Sequence, residues 1–164
     1  MKKFRMEIKW ALIFTAMMLI WHWLEKAVGL HDEHIDKHFI YTNLVALPAI
    51  EIYVLALREK RKNAFGGYMT YREGFKTGMI ITVMIALLSP LVQLISATLI
   101  SPEFFTNIIN YTVGRGDVSQ AGAESLFNLR SYMLQSFTGA LAMGLITSAL
   151  VAFFVQRKPQ VAQG

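Results

Sequence analysis

The chain has 164 residues, of which 54% are hydrophobic and only 16% charged, and its mean hydropathy is +0.41. Ordinary soluble domains carry roughly 25% charged residues, so this chain has too few to coat a soluble fold, and its length fits a single domain. The net charge of +5 does not read as nucleic-acid binding, because Lys and Arg flank apolar runs instead of forming a stripe interleaved with aromatics, and the lack of cysteine excludes disulfides and thiolate chemistry.

A membrane helix needs about 20 mostly apolar residues, each adding 1.5 Å across a hydrocarbon core about 30 Å thick. The sequence predicts four such spans, near residues 10–24, 39–57, 77–100 and 132–155. The first is short, and is extended by snorkelling of Lys9 and by an interfacial Glu25, with Trp10, Trp21 and Trp23 at depths that indole rings favour. Its basic start resembles a signal peptide, but Glu25, Lys26 and the bulky tryptophans favour an uncleaved signal anchor.

Cytoplasmic flanks carry the excess of Lys and Arg. One face takes Lys2, Lys3, Arg5, Lys9, Arg58, Lys60, Arg61, Lys62, Arg72, Lys76, Arg157 and Lys158, and the other only Lys26, Lys37, Arg115 and Arg130. Both termini are therefore expected inside. Before the third span, Thr70 and Glu73 have the spacing of a capping box. Ser101 and Pro102 end that span, and a short helical hairpin is expected on the outer, periplasmic side. Its turn falls at Gly114, Arg115, Gly116 and Asp117, and Asp117 or Ser119 caps the returning helix. Residues 1–158 form one membrane domain, and 159–164 read as a disordered tail.

Small residues or proline recur at every fourth position in the third span (Gly74, Gly78, Thr82, Ala86, Pro90) and in the fourth (Ser136, Ala140, Gly144, Ser148, Ala152). Helices in lipid gain little from mutual apolar burial, so such ridges predict direct, close packing of the two, within one chain or between copies. Pro48 and Pro90 free the carbonyls of Leu44 and Ala86 and are expected to kink their helices.

Ionisable groups within a bilayer are functional candidates, since burying them costs at least about 2.5–3.5 kcal/mol. Matched by depth, Glu51 falls level with Thr15, Thr82, Thr147 and Ser148, and His22 with Gln93 and Thr138. These two polar layers read either as an ion relay or as locally hydrogen-bonded groups, with Glu51 neutral or snorkelling. The densest polar cluster runs from His31 to His38. If a helix begins there, His31, His34 and His38 share a face at i, i+3, i+7, with Glu25 or Asp36 nearby, a spacing that permits a divalent metal or a pH-responsive site. Passive capping by Asp32, Glu33 and Asp36 accounts for the cluster as cheaply. No cofactor beyond such a metal is called for, and no nucleophile elbow, phosphate-binding glycine loop or HExxH motif is present.

The runs WLEKAVGLHDEHIDKH, YTNLVALPAIEIYVLALREKRK, MTYREGF and FNLRSYMLQSFTGALAMGLITSALVAFF together resemble the bacterial domain of unknown function 4199 family. The resemblance implies a small four-helix protein of the inner membrane of Gram-negative bacteria and carries no known activity. Glu51 stands where that resemblance would place an apolar residue. The reading is thus an all-α, four-transmembrane-helix bundle acting as a noncatalytic membrane component, an envelope partner or sensor module. It contacts the lipid bilayer and either another membrane protein or further copies of itself. The alternative is a small oligomeric transporter or channel using Glu51 and His22. A membrane enzyme would need an acid–base pair at one depth, for which only Glu25 with His22 or His31 is available.

Overall fold

The computed structural model describes residues 4–157. Lys2, Lys3, Lys158 and the expected tail at 159–164 lie outside them. The described residues form helices joined by short turns: α1 (Arg5–Ala27), α2 (Ile35–Tyr41), α3 (Ala46–Ala64), α4 (Tyr71–Ile95), α5 (Phe104–Gly114), α6 (Gln120–Leu126) and α7 (Leu129–Val155). A 3₁₀ turn, Thr42–Val45, joins α2 to α3, and a π-turn, Ser96–Ile100, continues α4. The 3₁₀ turn has a local cause. Pro48 has no N–H to give to Leu44, so the helix tightens just upstream.

Among the described residues, three stretches are long and apolar enough to cross a membrane: Ile35–Ala64, Tyr71–Ile100 and Leu129–Val155. The sequence predicts four such spans, and α1 is the one that does not reach this standard. Its 23 residues are long enough, but its apolar run is interrupted by His22 and closed by Glu25 and Lys26.

α1 nevertheless runs the height of the bundle. At one end Glu7, 1% exposed, accepts from Lys60 Nζ at 2.6 Å, while Glu59 accepts from Trp10 Nε1 at 2.8 Å and pairs with Lys9. Near the other end, His22 bonds Ser96 at the end of α4. α1 and α4 therefore run parallel, with α3 and α7 antiparallel to them. The first end also collects the start of α4 and the finish of α7. Met69 and Arg157 exchange backbone hydrogen bonds of 2.9 and 2.8 Å, and Arg61 donates to the Val155 carbonyl at 2.6 Å. The capping box forms as predicted, with Thr70 Oγ1 accepting from Glu73 N–H and Glu73 Oε2 accepting from Thr70 N–H.

α4 is the central helix and makes its most extensive contact with α7. The two small-residue ladders interlock in antiparallel register: Gly74 lies against Ala152, Gly78 against Ser148, and Thr82 against Gly144. A Cβ at Gly78 would lie 2.6 Å from Ser148 Oγ, so only glycine permits this approach. Ala86 is fully buried, whereas Ser136 and Ala140 open onto a groove. The freed Ala86 carbonyl accepts from Ser89 Oγ at 2.9 Å, so the backbone group that Pro90 strands is satisfied within its own helix.

A dense core of Trp10, Tyr53, Ala56, Leu57, Ile81, Val151 and neighbours fills the half of the bundle nearer the chain ends. In the other half α1, α3, α4 and α7 diverge around a groove of about 460 Å³. Outward-facing side chains are apolar on every long helix, among them Ile20 and Trp23 on α1, Leu47 on α3, Leu87 on α4 and Phe154 on α7.

Candidate functional site

Where α1 ends, the chain turns back at Gly29, whose φ of +79° favours glycine. The turn places His31 beneath α5, 3% exposed. Its Nε2 faces Glu25 Oε2 at 3.3 Å, and its Nδ1 shares a hydrogen bond of 2.9 Å with Ser101 Oγ. Glu25, 4% exposed, accepts from Trp21 Nε1 at 2.8 Å through its other oxygen. His38 on α2 brings its ring to 5.4 Å from that of His31, and its Nδ1 is shielded from solvent without a hydrogen-bond partner among the described residues. His22 Nδ1 shares a hydrogen bond of 2.7 Å with Ser96 Oγ.

The π-turn is what aligns the two serines. Ser101 N–H donates to the Ser96 carbonyl at 2.7 Å, the i→i−5 bond of a π-turn, and this wider winding sets residues five apart nearly one above the other. One serine thus meets His22 and the other His31. The lid is α5: Asn107 Nδ2 donates to the His31 carbonyl at 2.9 Å, and the Phe104 ring lies 4.9 Å from His31 and 5.1 Å from His38. Together these groups line a cavity of about 100 Å³ whose walls include His22, Glu25, His31, His38 and Gln93. Thr42 and Gln93 line both this cavity and the larger groove, so the two meet there.

The predicted site residues separate into those the fold gathers and those it does not. Glu25, His31 and His38 converge, each offering a donor atom within 4.8 Å of the others. His34 and Asp36 are exposed and stand outside the cluster. The i, i+3, i+7 argument fails for His34 because α2 starts at Ile35, and residues 31–34 form a turn whose side chains do not follow helical spacing. Asp32 pairs instead with Lys26, whose ammonium holds its carboxyl below the usual range.

The deeper layer also divides. Thr82 and Ser148 share a hydrogen bond at 3.2 Å, and Tyr53 joins them through its hydroxyl, 2.8 Å from Thr82 Oγ1. Thr15 and Thr147 line the groove, and Thr15 is bonded to its own helix at the Ala11 carbonyl. Glu51 is exposed on the outer side of α3, away from Thr82 and Ser148. Thr138 is likewise exposed and bonds within α7, so Gln93 alone of its pair shares a cavity with His22. Sequence reasoning missed Tyr53, the clamps at Glu7 and Glu59, and the roles of Ser96 and Ser101. The signal for the clamps was two acidic residues placed among basic flanks.

On the exposed side the turn at Gly114–Asp117 joins α5 to α6, with Gly116 at φ +76° and Ser119, not Asp117, capping α6. Asp117 pairs with Arg115 at 3.2 Å, and the Arg115 guanidinium is held further above its usual range by the Tyr111 hydroxyl and then by this carboxylate.

Fold and composition define a protein whose described residues are helical, with three helical stretches of membrane-crossing length and hydropathy among them and a buried acid–histidine centre at one end. The family model described as "Protein of unknown function (DUF4199)" matches residues 9–157, and the chain belongs to that family. No curated protein and no solved structure matches it significantly.

Proposed function

We propose that this protein crosses the bacterial inner membrane four times, with both termini in the cytoplasm, and serves as a noncatalytic envelope sensor or partner module. Support for the fourth crossing comes from α1. It is pinned at Glu7 and Trp10 to the far end of α3 and at His22 to the end of α4, and it turns Leu12, Ile13, Ile20 and Trp23 outward. Lys and Arg crowd the end that holds Arg58, Arg61 and Arg157, which supports placing that end inside.

The observation that carries the sensor reading is the contact of α5 with the buried centre. Asn107 and Phe104 of α5 rest on His31, so a change in the centre moves the α5–α6 hairpin, the surface offered to a partner. Glu25 and His31 do form an acid–base pair of the kind a membrane enzyme would use. Both side chains are almost fully buried, 4% and 3% exposed, with Asn107 of α5 resting on the His31 carbonyl, and this favours a noncatalytic role. A transport route through Glu51 and His22 has less support, because Glu51 faces away from the bundle and the core around Tyr53, Leu57 and Ile81 closes the interior between the groove and the basic end.

Two experiments test this reading. Because the chain lacks cysteine, single thiols at Asn63 and Gly116 report sidedness. An impermeant reagent on intact cells should label the thiol at 116 and reach that at 63 only after permeabilisation; labelling of 63 in intact cells overturns the orientation. Crosslinking through position 116 in native membranes should capture a partner, or a second copy, that Asn107→Ala loses. Capture unaffected by Asn107→Ala would disconnect hairpin from centre.

A further inference from the structure

We propose that Glu25, His31 and His38 form a binding site for a divalent transition-metal ion of the zinc class, with a fourth coordination position left to water. Two imidazoles and a carboxylate make an N₂O donor set of the kind that suits zinc, and three protein ligands with one open position is the usual arrangement of a reactive or exchangeable zinc site. At bond lengths of about 2.0–2.1 Å, neighbouring ligands on a tetrahedral ion lie roughly 3.3 Å apart. Glu25 Oε2 and His31 Nε2 already stand at 3.3 Å. The donor atoms of all three residues lie within 4.8 Å of one another, so His38 needs to close in by about 1.5 Å at most.

Two further observations point to an ion. The first is orientation: His31 Nδ1 is tied to Ser101 Oγ and Glu25 Oε1 to Trp21 Nε1, which leaves Nε2 and Oε2 aimed at each other. Bonding at the second atom of each ligand is what fixes imidazole tautomer and carboxylate rotamer around a bound metal. The second is the His38 ring, whose buried Nδ1 has no partner among the described residues, although buried polar atoms are nearly always satisfied. An imidazole with unspent capacity beside a carboxylate and a second imidazole is placed to serve as a third ligand. The cavity of about 100 Å³ leaves room for the ion's water. The site does not depend on how the chain is oriented in the membrane. If the centre lies at the outer surface, its ion would come from the envelope side.

Full-length protein carrying a tag without histidine, stripped with chelator and held in detergent micelles, is titrated with Zn²⁺ alone by calorimetry. One ion per chain is expected, with affinity reduced at least tenfold in His38→Gln and unchanged in His34→Gln. Absence of binding by the wild type, or equal binding by both variants, overturns the proposal. Since Glu25 and His31 are buried and their replacement can disturb folding, the wild type is also loaded with one equivalent of Co²⁺. Intense visible d–d bands of a four-coordinate ion are expected, and the weak bands of a six-coordinate ion overturn the site.

Discussion

Gly144 of α7 and Thr82 of α4 meet so closely that a Cβ placed at 144 would stand 2.6 Å from Thr82 Oγ1 and 2.9 Å from Thr82 Cβ. Contacts this short leave no room for one methyl group unless the helices part. Gly144→Ala should therefore destabilise the protein in detergent by about 1–3 kcal/mol, the usual cost of overpacking. Gly139→Ala, five residues away with nothing within 4 Å of its added carbon, should be neutral or slightly stabilising. Thermal unfolding followed by circular dichroism separates them, and equal melting points would contradict this α4–α7 register.

Tyr53 links α3 to that same contact through its bond to Thr82. Interhelical hydrogen bonds in membranes average about 0.6 kcal/mol and reach about 1.7. Tyr53→Phe should thus cost on the order of 1 kcal/mol, and a double-mutant cycle with Thr82→Val should recover most of it as coupling energy. A coupling near zero would mean that the hydroxyl is satisfied elsewhere.

The Glu7–Lys60 clamp joins α1 to α3 with the carboxylate almost fully enclosed. Removing only the cation leaves that carboxyl group buried without its partner, a change that typically costs about 3–5 kcal/mol. Lys60→Met should be markedly less stable than the wild type, and the paired change Glu7→Leu with Lys60→Met should restore much of the loss. Chemical denaturation in mixed micelles measures both. A double variant no more stable than the single one would assign the clamp to lost packing instead of charge.

Ser101 is the test of how the π-turn serves the centre. Its hydroxyl orients His31 without touching the site of the proposed ion, so Ser101→Ala should weaken Zn²⁺ binding by about tenfold while leaving its stoichiometry at one. Calorimetric titration reads both quantities. The same substitution at Ser125, whose hydroxyl bonds only within α6, should have no effect.

Local rules were enough for much of this fold. Run length and hydropathy located α4 and α7 and the helical stretch around α3, the Thr70–Glu73 spacing set the start of α4, and the fourfold spacing of small residues named the α4–α7 contact, because each depends on neighbours within a turn or two of the chain. α1 tests that limit: its polar interruptions take it below the hydropathy of a span, and only its clamps to α3 and α4 reveal that it runs the height of the bundle. The acid–histidine centre shows the same division. The residues between Glu25 and His38 announce a polar cluster in the sequence, but which of them converge was decided by tertiary structure. The turn at Gly29 swings His31 inward and leaves His34 outside, the π-turn delivers Ser96 and Ser101 from residues some seventy positions away, and α5 covers His31. Periodicity fixes where a side chain lies around its own helix, whereas the convergence of ligands depends on distances between helices, which are set by packing and by how each turn aims the next segment.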